Sequence, residues 1–428
     1  MTDEARIVAL AAIRRVTEQG GYSTLVVPAA LERSGLDAQG RAFAMELAFG
    51  TLRRKVTLDW AIARVSSRPP DRMSPGALAA IRLGAYQLLF TRVPDHAAVS
   101  ESVGLVTTRE RGFVNAVLRK LAASPPSPPN GVTDEDVAVR TGLAPWAVNE
   151  LRRVLGDEAE DAAAALAEQA PLCLRANPCR RSVDELERDL LDAGRHPRRG
   201  SLHPDTLLLE GAGDPARLPG YAEGWFAVQD QASSFVVAAL GPRPGERVLD
   251  VCAGPGGKLA QLACLVGDDG FAVGGDLHPA RAGLVAATAA RLGVRAAVLA
   301  QDARAPALAG GFDRVLVDAP CSGIGSARRR PELLWRAERA GLSGLARLQV
   351  AIASAAADQL APGGRLVYSV CTFPRAETDA ACDALLGKRP DLEPVPIAGP
   401  DGPSERVRVW PHVHGSDAMF AAAFRRKA

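Results

Sequence analysis

A chain of 428 residues exceeds what one hydrophobic core usually organises, so its length points to two or three domains. With 47% hydrophobic and 23% charged residues, its composition is that of an ordinary soluble globular protein. The net charge of +2 hides an asymmetry: residues 1–122 hold 17 Lys/Arg against 11 Asp/Glu, and the remainder 34 against 38.

A basic first segment suggests a polyanionic partner, although a solvated helical surface would look the same by charge alone. The acidic start MTDEARIVAL has no basic n-region, which speaks against a secretory signal. No uninterrupted apolar stretch stands out as a bilayer span, so no membrane association is expected. Seven cysteines without CxxC or Cys/His clusters argue against a disulfide framework and against zinc or any other metal. The expected setting is the reducing cytoplasm.

Along the chain, residues 1–123 read as an all-helical bundle. Ile7, Leu10, Ile13 and Val16 recur every three residues, while Leu78, Ile81, Ala85, Leu88 and Leu89 repeat at helical spacing. Phe113, Val117, Leu118 and Leu121 do the same, and Arg53, Arg54, Lys55, Arg109, Arg111, Arg119 and Lys120 lie between the stripes. The stretch SPPSPPNG within residues 124–133 favours an extended spacer. Residues 134–230 mix helical and strand-like runs and are expected to form a small α+β module. From 231 to 428, apolar β-type runs alternate with helical stretches, which implies βαβ units and a mostly parallel, Rossmann-like sheet.

Five of those strands end in Asp250, Asp276, Asp302, Asp318 and Cys371. Ligands of open α/β sheets bind at the carboxyl ends of the strands, so all five groups are expected on the binding edge. DVCAGPGGK, Asp250 to Lys258, follows the first of these strands and opens a helix. Its glycines, Gly254, Gly256 and Gly257, permit a tight turn and close approach to a ligand. The loop lacks the phosphate-binding G-x-x-x-x-G-K-[ST] pattern, because Leu259 follows Lys258. Asp276 is placed to accept ribose hydroxyls and Asp302 to meet an adenine amino group. S-adenosylmethionine fits a nucleoside site without phosphate motifs, with NAD as the second candidate.

DAPCSG places Cys321 after the fourth of these strands, and YSVCTF places Cys371 after the fifth. A single buried cysteine is usually inert. Two at neighbouring strand ends beside a cofactor suit the methylation of carbon 5 of cytosine. A thiolate that adds to carbon 6 makes carbon 5 nucleophilic, and a second group then removes the carbon-5 proton. A protonated Asp318 would stabilise the charge that develops at ring nitrogen 3.

These residues resemble the RNA 5-methylcytosine methyltransferases of the NOL/NOP/Sun group, and more narrowly the bacterial RsmB (Sun/Fmu) type. DAPCSGIG..RRRPELLW, YSVCTFPRAE and DVCAGPGGK carry the resemblance, with FAVQDQASS and LRANP in support. AFGTLRRKVTLDW, IRLGAYQLLF, VPDHAAVSESV and GFVNAVLRK resemble the NusB-like RNA-binding domain of that type. The resemblance implies Cys371 as nucleophile and Cys321 as the group that releases the product. It implies cofactor contacts from Cys252, Ala253, Gly254, Pro255, Gly256, Gly257, Lys258, Asp276, Asp302 and Asp318. Lys258 would in addition orient Asp318 or the base.

The implied substrate is a cytosine of 16S ribosomal RNA, acted on by a monomer that does not use DNA. A transfer-RNA cytosine methyltransferase, a non-catalytic RNA-binding scaffold and an amino-group methyltransferase are the alternatives, the last disfavoured because DAPC differs from an Asn/Asp-Pro-Pro-aromatic motif. Gly254 stands where the family usually has Ala, Leu259 where Thr is frequent, Ser416 where Gly is usual and Met419 where Phe is usual.

Overall fold

The apolar stripes of the first segment become the buried faces of seven helices: Glu4–Gln19 (α1), Ser23–Glu32 (α2), Ala38–Arg53 (α3), Lys55–Val65 (α4), Pro75–Phe90 (α5), Asp95–Gly104 (α6) and Thr108–Ala123 (α7). Ile13, Val16, Ile81, Ala85, Val117, Leu118 and Leu121 are all within their common core. Ile7 is 49% exposed. A strict three-residue repeat drifts off a 3.6-residue stripe, and by α1's first turn it has left the buried face. Asp3, Asp37 and Ser74 cap α1, α3 and α5 with side-chain acceptors.

The computed structural model describes residues 3–428. They divide into two compact units. The first runs to Gln169 and also takes in Ala327–Arg339; the second comprises Ala170–Ser326 and Ala340–Ala428. Helices Asp134–Thr141 (α8), Pro145–Leu155 (α9) and Ala159–Leu166 (α10) therefore group with the first seven, not with the strands that follow them. Thr57 on α4 donates to the Val139 carbonyl and Arg54 to that of Arg140, which ties α8 to the bundle.

The second unit opens with a four-stranded antiparallel sheet of order β2-β3-β1-β4. Its strands are Leu172–Ala176 (β1), Arg198–Arg199 (β2), Thr206–Leu209 (β3) and Phe226–Val228 (β4). Helix Val183–Asp192 (α11), started by a Ser182–Glu185 capping box, covers one face. After helix Gln231–Leu240 (α12) comes the main sheet. Its parallel strands are Arg247–Asp250 (β5), Phe271–Asp276 (β6), Ala297–Ala300 (β7), Phe312–Asp318 (β8) and Leu360–Val370 (β9). Helices Gly257–Val266 (α13) and Pro279–Leu292 (α14) follow β5 and β6; between β8 and β9 the chain runs through Leu333–Arg336 (α15), which lies in the stretch grouped with the first unit, and Leu342–Asp358 (α16).

Beyond β9 lie Asp379–Lys388 (α17), Leu392–Val395 (β10), Ile397–Gly399 (β11), Gly402–Ser404 (β12), Arg406–Val409 (β13), Pro411–His414 (α18) and Met419–Arg426 (β14). β14 pairs antiparallel with β9 and β10, giving the order β10-β14-β9-β8-β5-β6-β7, while β13 pairs with β14.

Two features depart from the reading of the sequence. Cys179 and Cys264, 85 residues apart, form a disulfide with Cα atoms 5.9 Å apart. The pairing depends on three-dimensional neighbourhood: Ala227 of the small sheet packs on Ala260 of α13, one turn from Cys264. Segment Arg339–Asp358 passes the length and composition test for a membrane span. In α16 its residues Val350, Ile352, Ala353, Ala356 and Ala357 are buried in the core shared with β8 and β9, so the apolar run serves the sheet.

Candidate active site

Because β5, β6, β8 and β9 run parallel, their carboxyl ends share one edge of the sheet. Asp250, Asp276 and Asp318 are the last residues of their strands, and Cys371 is the first after β9. Asp302 lies two residues past β7.

The loop between β5 and α13 is shaped by close approach. Gly256 has φ 112°, and a Cβ there would come within 2.9 Å of Thr288 and 3.0 Å of Val285, so only glycine fits. A Cβ on Gly254 would stand 2.4 Å from the Asp276 carboxylate. The absence of a side chain at 254 thus lets Asp276 reach the loop. Ala253 N–H donates to the Gly275 carbonyl and Cys252 N–H to Asp250, while Thr288 holds the Pro255 carbonyl. The Gly254–Pro255 peptide is cis.

Asp276 is 6% exposed and lies 3.4 Å from the Arg281 guanidinium, which also donates to the Gly254 carbonyl. Asp302 is at the surface and takes a bidentate contact from Arg304, which holds its carboxyl down at about 2. Asp276 presents a buried acceptor at the loop, the chemistry that ribose hydroxyls require, whereas both Asp302 oxygens are engaged by Arg304. The residues present therefore fit a nucleoside cofactor. A separate cavity of about 610 Å³, bordered by His203, Phe235 and Arg365, shares no lining residue with this edge.

Lys258, on the first turn of α13, reaches Asp318 at 2.8 Å. The other Asp318 oxygen accepts from Ser369 at 2.9 Å. Burial alone would depress the Lys258 ammonium, but Asp318, Asp250 and Cys371 outweigh it and hold it above its usual range. Asp250 is fully buried; burial, then the Asp318 charge, pushes its carboxyl up to about 7. Asp318 thus accepts on both oxygens, and the donor beside it is Lys258.

The Sγ atoms of Cys321 and Cys371 are 3.5 Å apart. Strands β8 and β9 are neighbours in register, Asp318 opposite Ser369, which brings the two loops together. The hydrogen bond to Cys371 comes first, then burial, in pushing the Cys321 thiol well above its ordinary value. Cys252 and Cys382 are likewise pushed up by burial. A buried hydrogen-bond cluster of Ser322, Thr372, Gln349, Tyr368 and Glu377 adjoins the thiols. It escaped the sequence reading, for which a glutamate in PRAE looks like a solvated loop residue.

A glycine-rich loop opening the first helix, a ribose-type acid at the end of the second strand and an antiparallel strand set beside the fifth together define an S-adenosylmethionine-dependent methyltransferase. The chain belongs to the 16S rRNA methyltransferase RsmB/F family, whose description matches residues 237–425. Residues 3–123 match the NusB family and 144–215 the ferredoxin-like domain of RsmF/B-like methyltransferases.

Among curated relatives, the ribosomal RNA small subunit methyltransferase B of Salmonella arizonae is 34% identical over 431 residues, covering 99% of this chain and 98% of the relative. A Mycobacterium tuberculosis (strain ATCC 25618 / H37Rv) protein, whose name assigns it only to the methyltransferases, is 40% identical over 453 residues, covering 99% and 97%. Among solved structures, PH0851 is 25% identical with TM-score 0.86, covering 100% of this chain and 99% of that one. A methyltransferase homologue from Pyrococcus horikoshii is 27% identical with TM-score 0.60, covering 69% and 99%.

Proposed function

We propose that this protein methylates carbon 5 of a cytosine in 16S ribosomal RNA through a covalent cysteine–RNA intermediate. The reading rests on one observation above the others: two thiols 3.5 Å apart beside a half-buried Lys258–Asp318 pair. Family membership and the 34% identical small-subunit methyltransferase B support the substrate class, and residues 3–123 of NusB type suit RNA recruitment.

S-adenosylmethionine, when bound, supplies an electrophilic methyl group. Cys252 to Lys258 would border it, with Asp276 at its ribose, Asp302 at its base and Asp318 beside them. Cys371 is the nucleophile: its thiolate bonds to carbon 6 and the 5,6 double bond opens toward carbon 5. The Lys258 ammonium is held up against burial by Asp318 first, then by Asp250 and Cys371, and a cation placed there favours the Cys371 thiolate. Lys258, paired with Asp318, is also the donor at hand for charge on the pyrimidine ring.

Once carbon 5 carries the methyl group, its proton must leave. Cys371 comes first among the groups that hold the proton on Cys321, ahead of burial and of the Glu377 and Asp318 charges. When Cys371 becomes a thioether its charge is gone, so Cys321 ionises more readily at the step that needs a base. Cys321 takes the carbon-5 proton, the double bond re-forms, and the carbon–sulfur bond to Cys371 breaks to return the thiolate. A cytosine reaches this edge only when unpaired or flipped out.

Bisulfite sequencing of ribosomal and transfer RNA from a deletion strain tests the assignment. Loss of one 16S mark is expected; loss confined to transfer RNA would move the substrate to that class, and no loss would overturn the reading.

A further inference from the structure

The mechanism above leaves one buried ionisable group beside the thiols without a task. Glu377, in the turn after β9, is 0% exposed. Its carboxylate accepts from Ser322 N–H at 2.9 Å, Ser322 Oγ at 2.6 Å and Gln349 Nε2 at 2.9 Å. Thr372 Oγ1 lies 3.5 Å from it and 2.7 Å from Ser322 Oγ. Ser322 follows Cys321 and Thr372 follows Cys371, so one carboxylate grips the residue next to each thiol. The glutamate is itself pinned: Tyr368 OH donates to its carbonyl at 2.7 Å and also to Gln349 at 3.1 Å. Gln349 closes the frame by donating to the Pro320 carbonyl, on the other side of Cys321.

Among the described contacts, these donors are neutral. A buried carboxylate without a cation is a costly choice for stability alone, since apolar packing would serve as well. Ser and Thr at turns usually bond to their own backbone. Here Ser322 turns to an acceptor from the other loop and Thr372 to one five residues on in its own, so the carboxylate joins the two loops beside the single backbone bond from Gly325 N–H to the Cys371 carbonyl.

We propose that Glu377 is a positioning residue for the two-thiol chemistry, holding the Cys321 and Cys371 loops in the register that sets their sulfurs side by side. The inference rests on the cysteine roles proposed above, but its geometry can be read without them.

The test uses the full chain and two readouts. Diamide removes two electrons and two protons from neighbouring thiols, becoming the hydrazine as the disulfide forms. Peptide mass spectrometry then follows the Cys321–Cys371 link over time. Glu377→Gln keeps the volume but sets an amide donor against Gln349 Nε2. Its Cys321–Cys371 closure is expected to slow about tenfold, and methylation kcat to fall on the order of a hundredfold, the scale of an ångström's misplacement.

Affinity for S-adenosylmethionine should stay unchanged, because no cofactor-loop residue touches Glu377. Glu377→Asp should recover part of both rates. The double variant Ser322→Ala, Thr372→Val removes the two hydroxyl handles while leaving the carboxylate on Ser322 N–H and Gln349, so it reports even where Glu377→Gln folds poorly. Closure and kcat equal to wild type in these variants would overturn the proposal. If closure depends on Glu377 yet Cys371→Ser remains active, positioning stands and the covalent mechanism falls.

Discussion

Lys258 and Asp318 meet at 2.8 Å across the gap between the first turn of α13 and the end of β8, with Asp250 buried beside them. The pair sets the electrostatics of the whole strand edge. One cation serves two carboxylates and a thiol, and the carboxylate it serves least well is Asp250.

A pH dependence follows from that shortage. Burial, and then the charge of Asp318, push the Asp250 carboxyl up to about 7 in the folded chain, well above the ordinary aspartate range. A raised acid stabilises the fold fully below its unfolded value, and that contribution is lost as pH climbs through the folded one. The wild type should therefore lose stability between about pH 4 and 7, by at most about 4 kcal/mol from this group. Asp250→Asn removes the titration and keeps an acceptor for Cys252 N–H. Urea unfolding at pH 5 and 8 should show a smaller difference for the variant; equal differences would refute the assignment of this slope to Asp250.

The two thiols separate by what each leaves behind. Cys371→Ala should abolish methylation, because without addition to carbon 6 the ring does not attack the methyl group. Cys321→Ala should allow attack and transfer but stall at elimination, leaving RNA joined to Cys371. A denaturing gel after incubation with substrate RNA and cofactor should show a slow-migrating species for Cys321→Ala alone. The reverse pattern would exchange the roles, and no adduct in either variant would defeat the covalent route.

How much of this was legible in the sequence depends on how far apart the partners lie. Asp250, Asp276, Asp318 and Cys371 could be placed because each terminates an apolar β-type run, and parallel order then brings all four to one edge. The glycine loop announced its own turn. Glu377 did not, since its partners Ser322 and Gln349 are 55 and 28 residues away and nothing local distinguishes a buried glutamate from a solvated one. The Cys179–Cys264 bond was hidden for the same reason. The pairing of Asp318 with Lys258, 60 residues earlier, could be guessed only as an orienting role; that both Asp318 oxygens are engaged required coordinates.

The cofactor assignment turns on Asp276. Its carboxylate is buried at the loop that Gly254 leaves open, so Asp276→Ala should weaken S-adenosylmethionine binding by about 1–3 kcal/mol, the scale of hydrogen bonds to a charged acceptor. Gly254→Ala should act in the same direction, because its Cβ would come 2.4 Å from that carboxylate. Calorimetric titration decides both. Unchanged affinity in Asp276→Ala, or tight NAD binding by the wild type, would remove the assignment.

The motif RRRPELLW makes a prediction of its own, because its residues belong to the helical unit although the chain reaches them from the sheet. Glu332 is 0% exposed and accepts from Ser23 N–H at 3.2 Å and Ser23 Oγ at 2.5 Å. Trp335 Nε1 donates to the Leu52 carbonyl, and Arg336 donates to the carbonyls of Val16, Gly20 and Gly21. Leu334 is buried as well. Glu332→Ala leaves the α2 N-terminus without its acceptor and should cost about 1–3 kcal/mol of stability in that unit. A chain shortened to begin near Thr133 loses every one of these partners and exposes Leu334 and Trp335, so it should unfold earlier and self-associate in addition to losing affinity for RNA. Calorimetry and light scattering on the two proteins check this. A shortened chain that stays monomeric with unaltered thermal stability would show that the segment holds its place without the first seven helices.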